Sequence, residues 1–231
     1  MVPMRTKSVP ELFGVPQVPT TGRGRLVAAA IELFYQRGFT AVGIDQIITK
    51  AGVTKTTFYK HFEGKDDLVL AAVKQRDEWE SQAWARAART LGGDDPAQQL
   101  LATVDVIDLW FNHPDFNGCM FISAAAEFPN PHDPIHQAAA ASKLRTRNHR
   151  RDLAKAAGAD AIAAEIFADC YTALIEGALV LRQMHGRNDA AREVRPAVEQ
   201  LIAIYLPSVV RKSDAGKNAA RNGKRSGGGG K

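Results

Sequence analysis

From about residue 23 to about residue 209 the apolar positions recur at intervals of three and four. The breaks fall at Gly and Pro, and no convincing alternating strand run is present. The pattern predicts an all-α protein. Over 23–37, Leu26, Ala29, Ala30, Leu33 and Phe34 share one stripe, and Gly38 stands where a helix C-terminus often places a glycine. IDQIITKAG follows as a short helix closed by Gly52. In GVTKTTFYKHF, residues 52–62, Thr54 suits an N-cap while Val53, Phe58 and Phe62 face inward. A longer helix is expected from about Lys65, with Asp66 and Asp67 at the positive end of its dipole.

Further helix starts lie at Asp95-Pro96, Asp133-Pro134 and Asp160, where a capping carboxylate precedes Pro or an amphipathic run. They place helices near 96–112, 118–128, 134–157, 160–185 and 189–209. Pro196 falls inside the last, which therefore either kinks there or begins late.

At 45% apolar residues over 231 positions, the chain can bury a full core. Residues 1–22 are rich in Pro and 211–231 lack large apolar side chains, so a disordered arm and a disordered tail are expected there. The N-terminal stretch does not read as a signal peptide and no long apolar run is present, so neither export nor membrane spanning is expected. Cys119 and Cys170 show no paired spacing, which points to a reducing, cytoplasmic setting without a disulfide scaffold.

The net charge of +5 is unevenly placed. Residues 23–76 carry nine basic and five acidic side chains, residues 77–210 twelve and eighteen, and residues 211–231 seven and one. A basic first module and a basic tail thus flank an acidic body, which assigns contact with phosphates to the first third of the chain.

In that first third, a helix, a short glycine-containing turn and a second short helix, with a further helix packed behind, form a helix-turn-helix pattern. GRLVAAAIELFYQRGFTAVGIDQIITKAGVTKTTFYKHFEGKDDLV resembles the N-terminal domain of the TetR family of bacterial transcriptional regulators. The likeness is carried by Phe34, Gly38-Phe39, Ile44, Ile47, Ala51-Gly52-Val53, Tyr59, His61-Phe62, Lys65 and Leu68. It is close over 23–70, and beyond that it is a likeness of general all-helical plan.

The resemblance implies a DNA-binding domain over 23–70 on a helical ligand-binding and dimerisation domain over 71–210. It also implies a repressor, released from DNA by a small molecule. Thr54, Lys55, Thr56 and Thr57 match the groove-facing start of the recognition helix, Tyr59 a phosphate contact, and Lys65 a backbone clamp at the start of the fourth helix. Lys60 and His61 are further phosphate candidates. Where the family often has a capping Ser or Thr with a basic residue two positions on, this chain has Gly43 and Asp45. That departure shifts binding toward the recognition helix, Arg23, Arg25 and the N-terminal arm.

In the body, Trp110, Phe111, Phe116, Met120, Phe121 and Phe128 crowd a short span, and the helix GCMFISAAAEF is apolar on nearly every side. Each aromatic there has two readings, simple core or pocket wall. The pocket reading takes Trp110, Phe111, Phe116, Met120, Phe121 and Tyr171, with Ser123 and Glu127 orienting a mostly apolar or aromatic effector. Leu174 and Leu181 of the 160–185 helix, with Val194, Val198, Leu201, Ile202 and Tyr205 near a heptad seam, suit a dimer face. A two-fold dimer matches a palindromic operator.

No assembled nucleophile, HExxH or strand-borne GxGxxG is present, so no enzyme activity, cofactor or metal is expected. His132 and His136 flank a helix start already explained by Asp133-Pro134. The run KLRTRNHRR, 143–151, reads as a solvated face or as a second contact surface. A DNA-binding structural protein without an effector is the alternative function.

Overall fold

The computed structural model of the chain describes residues 19–206. Among them are nine α-helices and no strand, as the spacing predicts. Helices α1 (Gly22–Arg37), α2 (Ile44–Ala51) and α3 (Lys55–His61) form the helix-turn-helix unit with its supporting helix. Thr21 caps α1 by accepting from Gly24 N at 3.1 Å, and Thr54 caps α3 by accepting from Thr57 N at 3.2 Å. Gly43 has no side chain to cap α2, but Gln46 Oε1 reaches back to its N–H at 3.3 Å. Gly52 closes α2 in the left-handed region, at φ 60°, and turns the chain into α3. Leu26, Val27, Ala30, Phe39, Ile47 and Phe58 are fully buried between these helices. Truncating Phe58 to alanine costs about 3–5 kcal/mol at such a site.

Helix α4 (Lys65–Gly92) has 28 residues, a rod of about 42 Å. Leu68, Val69, Ala72 and Val73 pack it against α1, and its later turns pack against α5 (Pro96–Phe111) and α7 (Pro134–Ala156). The boundary expected at residue 70 therefore lies inside a continuous helix, with no linker.

The body is completed by α6 (Met120–Glu127), α8 (Ala161–His185) and α9 (Ala190–Tyr205). Asp95, Asp133 and Asp160 each accept a hydrogen bond from a first-turn N–H, at 3.0, 2.7 and 2.8 Å, so the expected starts are capped starts. Helix α9 starts at Ala190 and runs through Pro196. Its expected extension to 209 lies outside the described residues, as do arm residues 1–18 and the 211–231 tail.

The packing of α9 on α8 and α5 corrects part of the expected dimer seam. Val198 is fully buried and Ile202 is buried within the chain, while Leu174, Leu181, Val194, Leu201 and Tyr205 are partly buried against the same core. Val198 and Ile202 are thus taken up by packing inside the protomer, whereas the other five keep part of their surface outward. The unpartnered apolar face lies beside this seam, where Ile162, Ile166, Val180, Met184 and Ile204 are exposed. On α8 these alternate with exposed Cys170, Ala173 and Gly177 to give one straight stripe.

Candidate DNA-binding face and interior cavity

Helix α3 projects from the body as the sequence pattern requires. Thr54, Lys55, Thr56, Tyr59, Lys60 and His61 are exposed, Phe58 points into the core, and Thr57 is half-buried. The Thr57 hydroxyl lies 2.9 Å from that of Thr54, so it belongs to the cap. Tyr59 is 55% exposed with its ring edge-on to Phe58, which fixes the ring while leaving the hydroxyl outward. Lys55 Nζ is 3.5 Å from Asp45 Oδ1, an exposed pair joining the two helices of the motif. Asp45 thereby neutralises part of a cationic face and contributes little stability. Arg23 lies over the Phe62 ring at 5.3 Å, and Arg25 donates to Gly52 O at 3.4 Å, so both reach this face from α1.

Lys65 is less free than its position in the sequence suggests. Its Nζ donates to Thr40 O at 3.3 Å, in the loop between α1 and α2. That same loop is gripped from the body by Glu127, whose two carboxylate oxygens accept from Phe39 N at 2.9 Å and Thr40 N at 2.6 Å. Burial alone would raise the Glu127 pKa, but the Phe39 and Thr40 hydrogen bonds and the Lys65 charge outweigh it and hold the carboxyl below its ordinary range. Gly38, at φ 81°, makes this approach possible. A Cβ there would sit 2.9 Å from Glu127 Oε1, in a backbone conformation that disfavours other residues. Asn117 adds a second tie, its N–H donating to Tyr35 Oη at 3.0 Å and its side chain donating to Tyr35 O.

A cavity of about 410 Å³ opens inside the body between α4, α5, the start of α6, α7 and α8. Trp84, Ile107, Trp110, Phe111, Phe121 and Leu179 form its apolar walls, and α7 contributes a polar strip from Ser142 to Asp152. Of the expected pocket residues, Trp110, Phe111 and Phe121 line this space, and Phe116, Met120, Ser123, Glu127 and Tyr171 do not. Phe116 stacks outside it against Trp110, Phe111 and Arg182, and Met120 is buried in the core. The Ser123 hydroxyl donates back to Cys119 O at 3.2 Å. Glu127 faces the helix-turn-helix unit instead, because α6 carries it to the opposite end of that helix from the cavity. Tyr171 is fully buried, with its hydroxyl donating to Leu100 O at 2.7 Å, and burial pushes its pKa up to about 12.

The run 143–151 is partly solvated, with Leu144, Arg145, Thr146 and His149 exposed, but most of its cations are held in ion pairs. Lys143 bonds both oxygens of Glu176 at 2.8 and 2.9 Å, Arg145 pairs with Asp77, Arg147 with Glu165 and Asp169, and Arg151 with Asp152 and Glu165. These pairs tie α7 to α4 and α8. Apart from Asp152, next to Arg151, the carboxylates that accept them stand well away in the sequence, so no local spacing betrays those pairings. Nearby, His136 Nδ1 lies 2.8 Å from Phe128 O, a contact that anchors the start of α7. No three metal-ligating side chains converge among the described residues, and no helix there is long and apolar enough to cross a membrane.

Residues 26–72 match the family described as bacterial regulatory proteins of the tetR family, and residues 96–198 match the tetracyclin repressor-like C-terminal domain. The solved structure of SCO4454, a TetR-family transcriptional regulator from Streptomyces coelicolor, superposes with a TM-score of 0.72 at 30% identity, covering 80% of this chain and 95% of that one. The transcriptional activator FasR of Mycolicibacterium smegmatis is 35% identical over 124 residues, which span 54% of this chain and 53% of FasR. The transcriptional regulator LmrA of Bacillus subtilis is 26% identical over 161 residues, 69% of this chain and 85% of LmrA. With an exposed recognition helix on a three-helix unit, a helical body behind it and both halves matched, the chain belongs to the TetR family of DNA-binding transcriptional regulators.

Proposed function

We propose that this regulator binds a palindromic operator as a homodimer, represses by occupying it, and is released by a small, mostly apolar effector held in the interior cavity. The reading divides the chain into a DNA-binding domain over 23–70 and a ligand-binding and dimerisation domain over 71–210.

In the proposed complex, the N-terminal half of α3 enters the major groove, where Lys55 reaches guanine, the Thr56 methyl and hydroxyl meet base edges, and the Thr54 and Thr57 methyls add apolar contact. Tyr59, Lys60, His61 and Lys65, with Arg23 and Arg25 from the flank, hold phosphates and fix the register. The exposed stripe from Ile162 to Met184 on α8, with Ile204 on α9, supplies the face for a second copy. An isologous interface there gives two recognition helices related by a two-fold axis, and half-sites about 34–36 Å apart require that symmetry.

One observation carries the release mechanism: the DNA-binding unit and the cavity share two rigid struts. Helix α4 runs unbroken from Lys65 to cavity-lining residues Asp77, Glu80, Ser81, Trp84 and Ala88. Helix α6 begins beside the cavity at Cys119 and Phe121 and ends at Glu127 on the loop after α1. An occupant that displaces Phe121 or Trp84 therefore moves one strut or both and changes the spacing of the recognition helices. A structural DNA binder without an effector needs no hollow body, so the cavity favours the ligand-responsive reading.

The test is fluorescence anisotropy of a selected operator duplex with the purified full-length protein, titrated with small apolar compounds. Release by a compound that also quenches Trp84 and Trp110 supports the mechanism, and binding unaffected by any cavity occupant refutes it. FasR is named an activator, so the sign of regulation is read separately from an operator-driven reporter. Loss of the regulator raises expression if it represses.

A further inference from the structure

Of the three fixed cations in the cavity wall, Lys143, Arg145 and Arg150, only Arg150 lacks a carboxylate partner among the described residues. Four carboxylates line it, and each has a cationic partner: Asp77 with Arg145, Glu80 with Arg76, Asp152 with Arg151, and Glu176 with Lys143. The remaining cation is Arg150, only 7% exposed, with no carboxylate within ion-pair distance among the described residues. Its guanidinium lies over the Tyr171 ring at 5.2 Å, and its Nη1 donates to the Thr172 hydroxyl at 2.9 Å. Every fully enclosed side-chain nitrogen and oxygen among the described residues has a hydrogen-bond partner. The other guanidinium nitrogens of Arg150 are therefore not sealed off, and Arg150 is one of the residues that line the cavity.

A buried, hydrogen-bond-poor guanidinium is costly unless something completes it. The planar fork matches a carboxylate through two parallel N–H···O bonds. One guanidinium fork without a carboxylate partner has room for one carboxylate. A dianionic phosphate would need a second free cation, and Lys143 is held by both oxygens of Glu176. Opposite the polar strip of α7 stand Trp84, Ile107, Trp110, Phe111 and Leu179, an apolar surface for the rest of the molecule. A space of about 410 Å³ falls within the range that takes a drug-sized ligand.

We infer that the effector is a monocarboxylate with an aromatic or aliphatic body, its carboxylate anchored by Arg150 and its body lying against Trp84, Trp110 and Leu179. The inference rests on the effector reading above and narrows it to a chemical class.

Matched pairs test it by calorimetric titration of the full-length protein: benzoate, naphthoate, octanoate and dodecanoate, each against its neutral primary amide. For at least one pair the acid binds about tenfold or more tightly than the amide, the difference expected of a charge-assisted bidentate contact. Arg150→Met weakens the acid far more than the amide and so removes that preference. If Arg150→Met does not fold, Arg150→Lys decides, because a point charge without the fork keeps the amide's affinity and lowers the acid's several-fold. Equal binding of acid and amide in every pair overturns the inference, as does an acid preference that survives in folded Arg150→Met or is undiminished in Arg150→Lys. Occupancy is measured without DNA, so the two readings fail separately. Acids that bind but leave the operator bound refute release, whereas release by neutral compounds alone refutes the carboxylate.

Discussion

Glu127 and Lys65 meet the same loop from two sides, and this gives each a measurable signature. Glu127→Ala leaves the Phe39 and Thr40 N–H groups without their carboxylate and is expected to cost about 1.5–3 kcal/mol in equilibrium unfolding. The native pKa of Glu127 lies below its unfolded value, so its stabilisation is complete above the ordinary glutamate range and is lost as pH falls through the lower native value. The melting-temperature gap between wild type and Glu127→Gln should therefore be widest near neutrality and close as the solution is acidified; a gap constant with pH contradicts the assignment. Lys65→Ala should weaken binding to all DNA sequences and make the salt slope shallower by about one unit. Equal slopes would leave Lys65 as the loop tie alone. Among the threonines, Thr56 is exposed while the Thr57 hydroxyl is bound to Thr54, so binding-site selection with Thr56→Ala should change one base position more than with Thr57→Ala. Sequence spacing identified Thr57 as outward-facing but could not reveal where its hydroxyl turns. Glu127 was expected in a pocket because its neighbours are apolar, and its partners lie 88 and 87 residues away.

Among the elements, the helices were legible because caps and stripes are local. Asp95, Asp133, Asp160 and Thr54 stand one residue before their helices and bond to the first turn. Which stripe of a two-faced helix meets the core is not local, and α8 and α9 show the consequence. Val198 and Ile202 look like a seam for a partner, yet α9 lies against α8 and α5 and buries them within the chain. The adjoining stripe through Ile166 and Val180, which are 43% and 51% exposed, is the face proposed for the partner. The two faces separate by mutation. Ile166→Asp with Val180→Asp should yield a monomer in analytical ultracentrifugation with the helical content kept. Ile202→Ala should instead lower stability by about 2–5 kcal/mol. If the aspartates leave a dimer intact, the interface lies elsewhere.

At the scale of the whole molecule, charge and shape divide the work. A cationic, outward helix stands at one end, and a hollow acidic body at the other takes its own cations into ion pairs. The sequence carried the division, because it lies in segment composition and in the motif over 23–70. It did not carry the route between the ends, since Glu127 meets Phe39 and Thr40, and Asn117 meets Tyr35, only once the chain is folded. That route links the cavity to the helix-turn-helix unit, and in the proposed mechanism a ligand shifts the equilibrium only by fitting one spacing of the recognition helices better than the other.

The central claim is sequence-specific binding by a two-fold pair of these helices, and selection of bound duplexes from a random pool by the full-length protein tests it most directly. The expected product is an enriched inverted repeat with half-site centres one helical turn, or a multiple of it, apart. Enrichment without symmetry, or no enrichment over bulk duplex, would contradict the claim.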